Sequence, residues 1–441
     1  MPAPMRFIQS SPTLPAEADA VIIGGGIIGT FAAYYLAQRG LKVALVEKGV
    51  VGGEQSSRNW GWCRQQNRDE RELPLATKAL DLWEQFGIES GEQTGFRRCG
   101  LFYVSNDESE IETWARWGEY ARSIGVKTRM LNSQEATERG QFTKQVWKGG
   151  VHSQMDGIAD PGLAVPAVAR AVMALGGTVH QACAARGIET TGGAVSGVVT
   201  ERGTIATNLV IHAGGAWASS FMRQLDVRFP QATVRQSILA VGTGHMSLPD
   251  AFYGDSMSIT RRGDGAHSLA YSGRAKVDPT MQFLRFQKQF IPMFRQRWKK
   301  VSPGGLQGFR AGHETLSRWT LDRPTPMEAR RILDPVPDPK TIRLTVKRVS
   351  RLIPEVARAP IVGAWAGFVD STPDGVPVIG EIPAVPGLIL AAGFSGHGFG
   401  IGPGAAHLVA DIATGHDPIV DPHPYRLARF TPGEKIDVSE F

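Results

Sequence analysis

Residues Asp19 to Lys48, DAVIIGGGIIGTFAAYYLAQRGLKVALVEK, constrain the fold more than any other part of the chain. The apolar run Ala20 to Ile23 predicts a buried parallel strand. It meets Gly24-x-Gly26-x-x-Gly29, an apolar-periodic helix to Gln38, a turn at Gly40 and a second strand ending at Glu47. Each part has a physical task in holding a dinucleotide. Gly24 permits a tight turn, Gly26 lets a pyrophosphate reach the backbone, and Gly29 lets helix and strand pack closely. The helix N-terminus offers unpaired N–H groups and a positive dipole end to phosphates. Glu47 is positioned to accept hydrogen bonds from ribose hydroxyls.

A chain of 441 residues exceeds one ordinary core, so roughly two or three domains are expected. At 42% hydrophobic and 20% charged residues, it has the composition of a soluble globular enzyme. Cys63, Cys99 and Cys183 have neither disulfide nor metal-ligand spacing, so no metal centre is expected and a reducing, cytoplasmic compartment fits. The N-terminal MPAPMRFIQSSPTLPAEADA lacks a continuous apolar core and reads as a mobile Pro-rich lead-in, not a signal peptide. No segment is apolar for about 18 residues without the phosphate-loop glycines, so no membrane span is expected.

The net charge of +6 raises nucleic acid or anionic lipid as partners. The arginines are scattered and no aromatic-basic RNA motif occurs, so a solvated surface favouring anionic substrates is preferred. Gln282 to Lys300 is the local exception, with Phe283, Phe286, Phe290, Phe294 and Trp298 at helical spacing among basic residues. A core-facing stripe is expected there, with a membrane-surface helix as the competing reading.

Further helices are read over Asp69 to Gly87 (Pro74 near its first turn), Glu108 to Ile124, and from Asp160-Pro161 to Leu175. Gly177 to Ile188, Val195 to Thr200 and Asn208 to Ala213 read as strands, the last entering the glycine turn Gly214-Gly215-Ala216-Trp217. Phe229 to Ile361 changes to extended, aromatic, Pro-containing segments. Gly387 to Ala392 reads as a strand leading through a glycine-rich turn into a helix ending near Gly415. Dinucleotide-type segments at the start, middle and end imply a discontinuous cofactor domain. The boundaries expected are 17–95, 150–228 and 362–425 for that domain, 96–149 and 229–361 for a substrate domain, and 1–16 and 426–441 for terminal extensions.

The chain resembles the D-amino-acid oxidase superfamily, in particular the glycine oxidase and monomeric sarcosine oxidase group. The resemblance covers nearly the whole chain. It rests on VIIGGGIIG…VALVEK, SSRNWGWCRQQ with LPLATKALDLW, LVIHAGGAWAS, DSTPDGVPVIG and GLILAAGFSGHGFGIGPGAA. It implies an α/β chain (α+β overall) with a Rossmann-like FAD-binding domain and a mixed-sheet substrate domain. FAD is the implied cofactor, with substrate oxidation at the flavin N5. By resemblance the cofactor residues are Gly24, Gly26, Ile28, Gly29, Glu47, Lys48, Ser56, Ser57, Gly61, Arg64, Gln65, Ala185, Gly214, Gly215 and Trp217. Gly393, Ser395, Gly396, His397, Gly398, Phe399 and Gly400 form the implied flavin-facing turn. Its backbone N–H groups and helix dipole would stabilise charge developing on the reduced ring. Arg64 is implied beside the flavin ring and Tyr253 in the substrate wall; His267 and Tyr271 are candidate substrate contacts on a strand of that wall.

Departures from the family pattern bear on the substrate. Two cations that clamp a substrate carboxylate in sarcosine oxidase-like members are replaced here by Asn67 and Gly400. Their loss removes a charge-assisted clamp, with Arg68, Arg310 and Arg348 as candidate substitutes. The oxygen-activating lysine aligns near Ser268, and the flavin-anchoring cysteine with Gly367, so FAD is expected to be non-covalent. The expected activity is oxidation of the C–N bond of an amino acid or N-substituted amino acid to an imine, which water hydrolyses. The neutral amine drives hydride transfer, and oxygen or another acceptor takes the electrons. An opine or imino-diacid dehydrogenase, and an oxidase of a carboxylate-free secondary or cyclic amine, stay open as alternatives. A homo-oligomer or a partner subunit is left open as well.

Overall fold

The computed structural model describes residues 3–244, 246–431 and 433–438. Parts of the expected terminal extensions, residues 1, 2, 432 and 439–441, lie outside the described residues. The first strand, Ala20–Ile23, sits inside a six-stranded sheet. Val43–Val46 and Thr178–His180 lie on one side of it. Val210–His212, Leu388–Ala392 and Val378–Glu381 lie on the other, the last running antiparallel. Helix Ile27–Gln38 follows the glycine turn. A Cβ on Gly29 would lie 2.0 Å from the Gly24 carbonyl oxygen, so only glycine allows this approach of helix to strand.

That helix packs against Pro161–Ala174 and Gly402–Thr414. Phe31 meets Trp83 and Phe86 of helix Leu73–Ser90 edge-on, at 5.3 and 5.2 Å between ring centroids. Such contacts add roughly 0.5–1.5 kcal/mol each beyond area burial. The expected helix from Asp69 starts instead at Leu73, with Asp69–Glu72 forming a turn whose carbonyls accept the first helical N–H groups. Pro74 lies in its first turn, where a missing N–H costs nothing.

The single strand expected over Gly177–Ile188 is instead two strands, Thr178–His180 and Ala185–Thr191, in different sheets. Ala182 between them has φ +48°, and the Ala182 and Cys183 N–H groups donate to the Gly49 and Glu47 carbonyls. The lead-in is not a loose tail. Ser11 N–H donates to Val179 O (2.8 Å), and the Ser10 and Ser11 hydroxyls accept from Gln181 and Val179. The chain thus covers the open edge of Thr178–His180, which an uncovered sheet would leave unsatisfied.

A second, ten-stranded sheet is built from residues 101–153 and 232–371. Its spine is the antiparallel pair Ala232–Val241 and Ile361–Ser371. Ser371 also bridges to Phe394, so this spine delivers its last residues to the glycine turn after Leu388–Ala392. Helix Met281–Arg297 lies over the sheet, its N-terminus capped by the Thr280 hydroxyl accepting from Phe283 N–H (3.1 Å). Phe286 and Phe290 are buried and Phe283 and Met293 partly so, as expected for a core stripe. Phe294 and Trp298 are exposed, a correction to that reading. Both fall toward the C-terminal end of the helix, past the buried Phe286 and Phe290.

Glu314 fixes this helix to the spine. Its buried carboxylate accepts from Thr233 N–H (2.6 Å) and from the Thr280 hydroxyl. Burial pushes Glu314 from the usual 4.5 up to about 7. The folded state therefore holds this proton more tightly than the unfolded chain. The stability it contributes is complete below about pH 4.5 and is lost as pH rises through about 7. Glu314→Gln, which mimics the protonated acid, is expected to remove on the order of 2 kcal/mol of this pH dependence. Denaturant unfolding at about pH 5 and about pH 8 checks it.

Candidate active site

An open cavity with an empty volume of about 1250 Å³ lies at the N-terminus of helix Ile27–Gln38. Gly24, Gly26, Ile28, Glu47, Lys48, Ser56, Ala185, Gly214, Gly215, Trp217, Gly396, Gly398 and Phe399 line it, all residues named from the sequence. The carboxylate of Glu47 braces both flanking turns, accepting from Gly25 N–H and Gly49 N–H at 2.7 Å each. Ser56 accepts from Ile27 N–H (2.9 Å) and so places its hydroxyl at the helix start. Lys48 stands over the Trp217 ring at 5.1 Å.

The lining fits a polar ligand. Gln55 Oε1, His212 Nδ1 and Trp217 Nε1 border the cavity, are buried, and have no protein partner. Such orphaned atoms are costly unless a bound group satisfies them. Glycine faces on two turns and a helix N-terminus aimed into the space suit a dinucleotide pyrophosphate. These residues fit FAD. Position 367 carries no side chain that could anchor a flavin, and Gln55 Oε1 occupies the space beside it.

At the far end the cavity meets the turn Gly393–Gly400. The carboxylate of Asp370 accepts from Gly393 N–H (2.7 Å), and its carbonyl from Ser395 N–H (2.7 Å). Burial raises Asp370 to about 6 against these stabilising bonds. Beyond the turn opens a second cavity, of about 1730 Å³. Ser395, Gly396, His397, Phe399 and Gly400 border it, so the turn forms the partition between the two spaces.

The second cavity combines an apolar wall with cations. Trp60, Trp62, Phe283, Phe290, Met293 and Phe294 supply the wall, and Arg58, Arg64, Arg68, Arg297 and Lys300 the charge. Among the described residues lining it there is no Asp or Glu. Arg58 is paired with Asp334 (2.6 Å). Arg64 donates to Gln66 O (2.6 Å) and Tyr103 Oη (3.3 Å) while lying over Trp62. Arg68 is 3% exposed, and its Nη1 has no partner. Desolvation, then the neighbouring Arg64, lowers it to about 10, so it stays charged at neutral pH. His397 Nδ1 lies 2.8 Å from Glu72 Oε2, and burial lowers this imidazole to about 4.

Arg68 is thus the one of the three substitute cations that reaches the cavity. Arg310 is exposed, and Arg348 lies over Tyr271 beside Asp255. A Cβ on Gly400 would stand 2.5 Å from the Trp62 carbonyl oxygen, so the clamp position has no space for a side chain. Asn67, at φ +59°, is held by Gln66 Nε2.

Several sequence candidates lie behind these walls. His267 is 3% exposed and engages Thr243 through Nδ1 (2.9 Å); desolvation lowers it to about 4. Tyr271 is sandwiched against Arg348, and Tyr253 packs behind Tyr103. None of the three lines either cavity, because the strand carrying His267 and Tyr271 points them into the sheet's own packing. Ser57, Gly61, Gln65, Gly29 and Gly393 likewise shape the walls without facing the space. Gln65, for example, donates its backbone N–H to Asp156 (2.7 Å) and its side chain to Thr77 (2.7 Å). The sequence reading missed Met327, Arg331 and Ile332, which border the first cavity from a segment distant in sequence with no motif of its own.

A family model described as DAO, FAD dependent oxidoreductase, matches residues 19–412. Glycine oxidase of Pseudomonas aeruginosa is 26% identical over 423 residues, covering 92% of this chain and 98% of that protein. Sarcosine oxidase subunit beta of an Arthrobacter species is 24% identical, covering 99% and 97%. The structure of an L-amino acid deaminase from Proteus myxofaciens in complex with anthranilate superposes with a TM-score of 0.92 at 28% identity, covering 98% of each chain. No described helix is long and apolar enough to cross a membrane.

With glycine at position 367 and the thiol of Cys63 fully buried, the flavin is expected to leave with the supernatant on acid precipitation. Yellow colour retained in the washed, unfolded pellet would show a covalent bond.

Proposed function

This chain belongs to the DAO family of FAD-dependent oxidoreductases, and from that premise we propose that it oxidises the C–N bond of a carboxylate-bearing amine, an amino acid or N-substituted amino acid. The unpartnered Nη1 of the buried Arg68 guanidinium is the observation that carries this reading. A substrate carboxylate would complete its hydrogen bonds, and a charge-assisted pair of this kind fixes both position and orientation. FAD supplies the hydride acceptor at N5. The chain's own part is alignment: Arg68 holds one end of the substrate, while the wall of Trp60, Trp62, Phe290 and Phe294 receives an apolar side chain or N-substituent and excludes water.

The cations also favour the neutral amine, whose lone pair drives loss of hydride from the adjacent carbon. His397, kept uncharged by burial, adds no positive charge beside the turn. The turn borders both cavities, and with FAD bound its backbone N–H groups other than those of Ser395 and His397, which are bonded within the protein, would stabilise negative charge developing on the ring. The imine product then takes up water to give a carbonyl compound and an amine or ammonia. A deaminase seen with anthranilate, an aromatic amino-carboxylate, supports a site of this type.

A second reading, an imino-diacid or opine dehydrogenase, is supported by Arg297 and Lys300, which offer further charge along the same cavity. A carboxylate-free amine is disfavoured, since its cation would meet Arg64 and Arg68 in a cavity whose described lining residues include no Asp or Glu.

Anaerobic addition of amino acids, N-alkyl amino acids, imino-diacids and carboxylate-free amines, read as bleaching of flavin absorbance, tests the reading. Bleaching by carboxylate-bearing compounds is expected, and bleaching by carboxylate-free amines alone would overturn it. Arg68→Gln is expected to weaken substrate affinity about 100-fold for carboxylate-bearing compounds, with a smaller effect on the bleaching rate at saturation.

A further inference from the structure

We propose that residues 319–334 form a latch that retains FAD, with Met327, Arg331 and Ile332 as cofactor-binding residues. These three border the first cavity beside Lys48, Val50 and Gly53, next to the Glu47 carboxylate that marks its ribose end. The approach is close. A Cβ on Gly49 would lie 2.3 Å from the Arg331 carbonyl oxygen and 2.9 Å from Ile332 Cγ1. The segment reaches over from the chain stretch that supplies the ten-stranded sheet and closes a side that the glycine turns leave open.

Ion pairs dominate the polar fastening of the latch. Arg331 forms a two-pronged pair with Glu201, the Nη2–Oε2 contact being 2.6 Å, and donates from Nη1 to Lys48 O (2.9 Å). Lys48 returns a bond to Arg331 O (2.8 Å) and pairs with Glu54, which accepts from Leu333 N–H (3.1 Å). Glu328 pairs with Arg186 through two 3.0 Å contacts and caps the short helix Pro326–Ala329 at Thr325. Trp319 Nε1 donates to Arg186 O (2.7 Å), and Asp334 ends the segment on Arg58 (2.6 Å).

Apolar burial in the segment comes from Met327, Leu333 and the partly buried Trp319. Partly exposed ion pairs are screened by salt, whereas a buried apolar cover is not. Cofactor release therefore requires these pairs to open, and salt promotes it. This depends on FAD binding alone and is independent of which amine the enzyme oxidises.

The test follows FAD leaving the dilute holoenzyme as the recovery of free flavin fluorescence, with far-UV circular dichroism reporting the fold. Arg331→Gln and Ile332→Ala change lining residues. Glu328→Gln loosens the segment without touching the cavity. Arg318→Gln, in an exposed pair with Asp226 outside the cavity lining, is the control. We expect release about tenfold faster in Arg331→Gln and Glu328→Gln, and the control at the wild-type rate. Wild-type release should accelerate between ~0.05 M and ~0.5 M salt, and the Glu328→Gln variant should respond less. Wild-type release rates in folded Glu328→Gln and Ile332→Ala, or a wild-type rate indifferent to salt, would overturn the proposal.

Discussion

The buried carboxylate of Asp370 joins the parts of the molecule that have to act together. It stands one residue from the end of the long strand Ile361–Ser371, whose pairing with Ala232–Val241 forms the spine of the larger sheet. Its oxygen accepts from Gly393 N–H in the turn that follows Leu388–Ala392 of the other sheet, and Gln231, which also reaches Gly215 O, approaches it at 3.4 Å. One anionic group, desolvated and held by backbone donors, thus ties the turn Gly393–Gly400 to the turn at Gly214. The cost of burying the charge appears as its raised proton affinity, and the backbone hydrogen bonds keep that cost tolerable.

The cofactor half was legible because its physics is local. The strand, glycine turn, helix and acid occupy thirty consecutive residues, from Asp19 to Lys48, and each glycine has a steric reason that needs no distant partner. Gly29 against Gly24 is the clearest case. Caps were equally legible: Asp160 ahead of Pro161 accepts from Gly162 N–H (2.7 Å), and Gly415 ends the last long helix in a left-handed turn.

What escaped the sequence reading depends on pairing across long separations. Arg68 and Arg348 are the same residue type, and only tertiary packing leaves one with an unpartnered nitrogen beside a cavity and the other over the half-buried Tyr271. His267 alternates correctly for a strand, yet the face it shares is internal packing. Arg331 lies 130 positions from Glu201, and neither residue sits in a recognisable motif. The N-terminal lead-in looks like a tail by composition because what orders it is an exposed strand edge about 170 residues away.

The crowding at Gly400 reaches beyond the present chemistry. The Trp62 carbonyl occupies the space that any side chain there would enter, and Trp83 Nε1 donates to the Gly400 carbonyl at 3.0 Å from the other direction. A cation at this position cannot be regained by a single substitution, since the backbone of residues 62–63 would have to withdraw first. The location of positive charge in the second cavity is therefore an evolutionary ratchet. With Gly400 and the closely packed Trp62 both in place, charge in the second cavity is carried by Arg64, Arg68 and the end of the helix Met281–Arg297 instead of by the turn. Sequence divergence among chains that share this glycine should accordingly concentrate on that helix.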